Sequence, residues 1–201
     1  MDTTATTQTP TTIPDLRPVL ARALDQAGRL VTSTDPSDAS RPTPCDEYDV
    51  AALVDHLQAV VRRIGAVVRG EPFFSVPREW HSEDWAADWV AGRAGTDSAL
   101  AGADLERVVD VPWGQAPVGA ALGMYVSELA THAWDLAVAT GRTAGLDDEL
   151  AAISLTGAMD KLPREGRGPE IPFGPVVDVP QDAPAYDRLV GWNGRDPRWT
   201  P

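Results

Sequence analysis

Apolar side chains recur at three- and four-residue steps through Leu16, Val19, Leu20, Ala23, Leu24, Ala27, Leu30 and Val31. This pattern predicts a first amphipathic helix with Asp15 as N-cap and Pro18 inside the tolerated first turn. A second stripe, Val50, Leu53, Val54, Leu57, Val60, Val61 and Ile64, predicts a helix capped by Asp49, with His56 at the edge of the apolar face. A third helix is expected from Ser82 to Leu100, where Trp85 and Trp89 lie one turn apart and Gly92 and Gly95 weaken the propensity. The longest and most apolar pattern runs from Val118 to Thr140, placing Leu122, Tyr125, Leu129, His132, Leu136 and Ala139 on one stripe with Gly141 at the C′ position. A shorter helix follows from Asp147 to Leu162.

The connections read differently. Ser33–Pro44 is a loop, and Leu105–Trp113 is an extended or hairpin-like stretch that ends in Pro-Trp-Gly. Residues 163–201 hold eight prolines and five glycines, which predicts a Pro-rich tail wrapping the helices with one helical turn around Tyr186–Trp192. Four long amphipathic helices and almost no alternating pattern give an all-α helical bundle, whose sites are built from inward side chains on facing helices.

Composition narrows the function classes. The 201 residues carry 17 Lys+Arg against 30 Asp+Glu, a net charge of −13 without any basic block, so nucleic acid is not an expected partner. Residues 1–13 contain seven threonines and no apolar leader core. We read them as a disordered tail, and 14–201 as one domain that includes the Pro-rich tail. The longest uncharged stretch, Val111–Ser127, is interrupted by Pro112 and Pro117 and falls short of the ~20 apolar residues a span needs, so no membrane association is expected. The lone cysteine, Cys45, excludes an intramolecular disulfide framework and an all-cysteine zinc site, and it points to a reducing, cytoplasmic setting. A bound metal would have to rely on nitrogen and oxygen ligands.

The chemistry-bearing candidate is Glu128-Leu-Ala-Thr-His132. Four-residue spacing puts carboxylate and imidazole on one helix face, and His132 falls on the apolar stripe, so the pair should face the bundle interior. An inward carboxylate needs a partner. His56, on another helix, is the candidate third group. Two histidines and a carboxylate leave coordination positions open, as in catalytic rather than structural zinc sites. The alternative is a hydrogen-bonded core histidine with Glu128 at the surface. His81 matches no ligand spacing and is expected to be exposed. Cys45 is read as a small buried residue rather than a nucleophile or fourth ligand. Trp85, Trp89, Trp113 and Trp134 are either core or the lining of a pocket, and Arg62, Arg63 and Arg69 form the solvated face of the second helix or the mouth of a site.

Several segments resemble a known family: Arg41-Pro-Thr-Pro-Cys45-Asp-Glu-Tyr48-Asp49-Val50 through Asp55-His56-Leu57, then Glu128-Leu-Ala-Thr-His132-Ala-Trp134-Asp135-Leu136-Ala137 with Ala139-Thr140-Gly141, and Asp187-Arg188-Leu189 with Gly194-Arg195-Asp196-Pro197. The chain is similar to the DinB-like metal-binding family typified by the N-terminal domain of mycothiol-dependent maleylpyruvate isomerase, over nearly its whole length after residue 14. The resemblance implies a DinB-type four-helix bundle, here with an additional short helix, holding a divalent metal, zinc foremost and nickel as the other choice, through His56, Glu128 and His132. It also implies use of a low-molecular-weight thiol, mycothiol or a relative, as nucleophile or cofactor in a transferase or isomerase reaction. The expected partners are then a small thiol and a small electrophilic substrate, with a homodimer left open. The competing expectation is a non-catalytic metal-binding or ligand-sensing bundle. Tyr48 stands where the family usually carries tryptophan.

Overall fold

The computed structural model describes residues 13–167 and 173–201. The Thr-rich start, apart from Ile13, and the stretch 168–172 of the Pro-rich tail lie outside the described residues. In chain order the elements are α1 (Arg17–Ser33), α2 (Val50–Arg69), α3 (Trp85–Ala101), β1 (Val108–Val111), β2 (Gly114–Pro117), α4 (Val118–Ala139), α5 (Asp148–Lys161) and α6 (Ala185–Trp192). Helix α2 packs on α3 and α4, and α1 packs on α4 and α3, which closes the four-helix bundle. Leu20, Leu24, Leu53, Leu57, Ile64, Leu122, Leu129 and Leu136 are fully enclosed between these helices. Each contributes about 1.5–3 kcal/mol by leaving water.

Helix α2 starts where Asp49 accepts the Ala52 N–H at 2.9 Å, and it stops at Gly70, whose φ of 78° only glycine adopts without strain. It is covered by α3, by α4 and by the segment 70–84, which folds back over it. Polar residues of α2, among them Asp55, His56, Gln58 and Arg63, are therefore buried. Helix α4 leaves strand β2 directly at Pro117 and ends before Gly141, at φ 70°. The expected extended stretch is an antiparallel hairpin pairing Val111 with Gly114, and Trp113 stands half-exposed at its tip. Helix α6 packs on α5 and α4, so the C-terminal tail does return to the bundle. Among the described residues no helix is long and apolar enough to cross a membrane.

Two local expectations are corrected. Leu16, not Asp15, occupies the cap position of α1; Asp15 instead accepts the Arg17 N–H and its guanidinium. Helix α3 begins at Trp85 under Asp84, which accepts the Ala87 N–H at 3.0 Å, while Ser82 lies in the preceding turn. Of the four tryptophans, Trp89 and Trp134 are buried core as one of the two readings had it, Trp85 packs against the core, and Trp113 is exposed on the hairpin.

Candidate metal centre

Arg107 ties the two ends of the seam together, because its side chain reaches Val68 O near the end of α2 while its carbonyl accepts Val118 N–H at the start of α4. Helices α2 and α4 therefore run in opposite directions. This pairing places His56 against both Glu128 and His132. His56 Nε2 lies 3.3 Å from Glu128 Oε1, and the two imidazole rings are 5.0 Å apart at 76°. One donor atom from each of the three residues lies within 4.8 Å of the other two. His56 is 7% exposed, whereas the Glu128 side chain keeps 26% of its surface and marks the open side.

The neighbours of each ring decide which nitrogen is free. His56 Nδ1 is 3.2 Å from both the Arg78 carbonyl oxygen, which can only accept, and the Tyr48 hydroxyl; with its hydrogen on Nδ1, the ring would offer the Nε2 lone pair to a metal. His132 Nδ1 is 3.0 Å from Asp135 Oδ2, which assigns the same tautomer. Burial pushes the His132 pKa down, against the pull of Asp135, and keeps the ring neutral. Burial opposes the charged form of Glu128 too, but the hydrogen bond and charge of a protonated His56, with those of His132 and Arg63, outweigh it and hold the carboxyl below its ordinary range. With both rings neutral and their hydrogens on Nδ1, the two Nε2 lone pairs would meet the Glu128 carboxylate. Such lone pairs repel one another unless a cation sits among them. Two donors each ~2.0–2.1 Å from one tetrahedral ion stand about 3.3 Å apart, so the donor types and the His56–Glu128 spacing fit zinc.

Asp135 is fully buried and also pairs with Arg195 at 3.3 Å, so the C-terminal segment buttresses the ring of His132. Cys45 groups with His132 and Asp135, not with His56 and Glu128, and so does not close the triad. Burial, more than the Arg195 charge offsets, pushes its thiol up to about 11, in keeping with an inert buried cysteine. Tyr48 stacks on His56 with centroids 5.0 Å apart, and its hydroxyl accepts from Arg78 Nε at 2.8 Å and lies 3.2 Å from His56 Nδ1. His81 is exposed as expected, and it bonds Asp55 at 2.6 Å.

The reading of Arg62 and Arg63 as a solvated face is corrected. Segment 70–84 covers both: Arg63 donates to Pro77 O at 2.7 Å and lies over Phe73, while Arg62 donates to Asp88 O and lies under Trp80. The roles of Asp135 and Arg195 are not read from helix phase. Both stand in the family-like segments, and Asp135 is three residues after His132 on one helix face, so a signal is present for them.

The chain matches the family described as mycothiol maleylpyruvate isomerase N-terminal domain over residues 20–137. Two proteins of Mycobacterium tuberculosis are similar, each 29% identical over 177 residues, 88% of this chain and 96% of the relative: uncharacterized protein MT0763 of strain CDC 1551 / Oshkosh and uncharacterized protein Rv0738 of strain ATCC 25618 / H37Rv. The crystal structure of the mycothiol-dependent maleylpyruvate isomerase is similar at 15% identity and a TM-score of 0.49, over 70% of this chain and 65% of that one, so the chain spans just under two thirds of that protein's length. The match of the family to more than half of the chain establishes that this protein belongs to the mycothiol maleylpyruvate isomerase N-terminal domain family.

Proposed function

We propose that the protein holds a divalent metal, zinc in preference to nickel, on His56 Nε2, Glu128 Oε1 and His132 Nε2, and that a mycothiol-type thiol reacts there with a small electrophile by transfer or isomerisation. The observation that carries this reading is the convergence of His56, Glu128 and His132, one donor atom from each within 4.8 Å of the other two, with each ring anchored through its Nδ1. When bound, such an ion favours the thiolate form of a thiol near neutral pH. Two neutral imidazoles and one carboxylate contribute a single negative charge, which leaves room for one further anionic ligand. Asp135 and Arg195 keep the His132 ring oriented, and Tyr48 flanks His56. Cys45 is unsuited to supply the sulfur, being buried, protonated and on the far side of His132, so the thiol comes from the ligand. Family membership supports mycothiol as that thiol, and a reducing cytoplasm would keep it available.

The test is product formation from mycothiol and a generic electrophile by zinc-loaded protein. We expect turnover that EDTA abolishes and that Glu128→Ala lowers at least about a hundredfold, as loss of a metal ligand does. Equal rates for loaded and EDTA-treated protein would contradict the proposal.

A further inference from the structure

Segment 77–81 runs back along α2, and four contacts hold it there. Arg63 is buried, and its one side-chain hydrogen bond among the described residues runs from Nη2 to Pro77 O at 2.7 Å. Arg62 lies over the Trp80 ring, its guanidinium carbon 4.3 Å from the centroid. The Asp55 carbonyl accepts the Trp80 N–H at 2.9 Å, and the Asp55 carboxylate meets His81 Nδ1 at 2.6 Å. Between the Pro77 and Trp80 anchors the Arg78 carbonyl comes within 3.2 Å of His56 Nδ1. His56 and Arg63 stand two turns apart on one face of α2, so they engage consecutive carbonyls of the segment.

A metal-ligating imidazole gives its other N–H to an acceptor, and that acceptor fixes both the tautomer and the orientation of the ring. His56 Nδ1 has two neighbours at 3.2 Å, the Arg78 carbonyl and the Tyr48 hydroxyl. The carbonyl can only accept, whereas the hydroxyl can also donate and so tolerates a hydrogen on Nε2, where it would block a metal. The exposed Arg78 side chain reaches Tyr48 and Glu47, so the backbone of Arg78 alone serves as acceptor for the ring. We infer that segment 77–81 is a clamp on the His56 ring, and that Arg62, Arg63, Asp55, Trp80 and His81 are positioning residues for a metal they do not touch. They act by holding the Arg78 carbonyl against Nδ1. The inference rests on the proposed metal site. Coupling is reciprocal, so if the closed clamp tightens zinc, bound zinc holds the clamp closed by the same factor.

The experiment measures zinc affinity of the full chain by competition with a chromophoric chelator, and hydrogen exchange of the Trp80 amide with and without zinc. We expect zinc to bind about tenfold more weakly in Arg63→Met and several-fold more weakly in His81→Ala, with Arg63→Lys recovering most of the loss. Gln26→Ala, which opens a buried polar contact away from the clamp, should leave zinc affinity unchanged and so separates positioning from general destabilisation. Zinc should slow exchange of the Trp80 amide in the wild type, and Arg63→Met should quicken it. Should Arg63→Met fail to fold, His81→Ala and Trp80→Ala, both at exposed positions, carry the comparison. Wild-type affinity in the clamp variants, an equal loss in Gln26→Ala, or a Trp80 amide indifferent to zinc overturns the clamp alone. A wild type that takes up no zinc overturns the metal reading and the clamp together.

Discussion

Two of the places where this molecule buries polar groups are treated in opposite ways. Between α1 and the α5–α6 pair, Gln26 is 1% exposed and closed on both sides: its amide donates to Tyr186 OH at 2.6 Å and its oxygen accepts the Asp147 N–H at 2.7 Å. Between α2 and α4, the Nε of Arg63 and the hydroxyl of Tyr125 are enclosed without a protein partner, beside the His56 Nε2–Glu128 Oε1 contact. Structural polar groups are saturated because an orphan is expensive. The α2–α4 seam thus carries unpartnered polar atoms beside the triad, whereas the Gln26 side chain is closed by the fold.

Substitutions can break that contrast, starting with the largest effect. Asp135→Ala removes the counter-charge of buried Arg195 together with the orienter of His132, and it should destabilise by about 3–5 kcal/mol in urea unfolding while weakening zinc. Zinc at a hundredfold excess over its Kd should stabilise the wild type by about 2.7 kcal/mol, read as a Tm increase, and His56→Ala should abolish that increase. Gln26→Ala orphans the Asp147 N–H and the Tyr186 hydroxyl, and should lose about 2 kcal/mol with zinc affinity unchanged. Tyr125→Phe deletes a hydroxyl with no partner, so its unfolding free energy should stay within about 0.5 kcal/mol of wild type. A loss as large as that of Gln26→Ala would mean that the seam is closed after all.

How much of this was legible along the chain follows from what acts locally. Caps such as Asp49 and Asp147 bond within their own first turn, and the stripes of α2 and α4 give helix phase, so the meeting of His56 with Glu128 and His132 could be anticipated. The burial of Arg63 could not, because in sequence it is one of two arginines at the edge of a stripe. Its concealment comes from Pro77 and Phe73, which reach it only when segment 70–84 folds over α2. The Asp135–Arg195 pair joins residues 60 positions apart, beyond any periodicity. Tyr125 reads as an ordinary core aromatic until its unpartnered hydroxyl is seen.

The central claim is that His56, Glu128 and His132 are three arms of one metal site. Zinc titrated into EDTA-treated protein, with bound metal counted after desalting, tests it most directly. The account predicts one zinc per chain in the wild type and in Cys45→Ser, and loss of that zinc in His56→Ala, Glu128→Gln and His132→Ala. Substoichiometric zinc in the wild type, or full retention in any of the three triad variants, would contradict it.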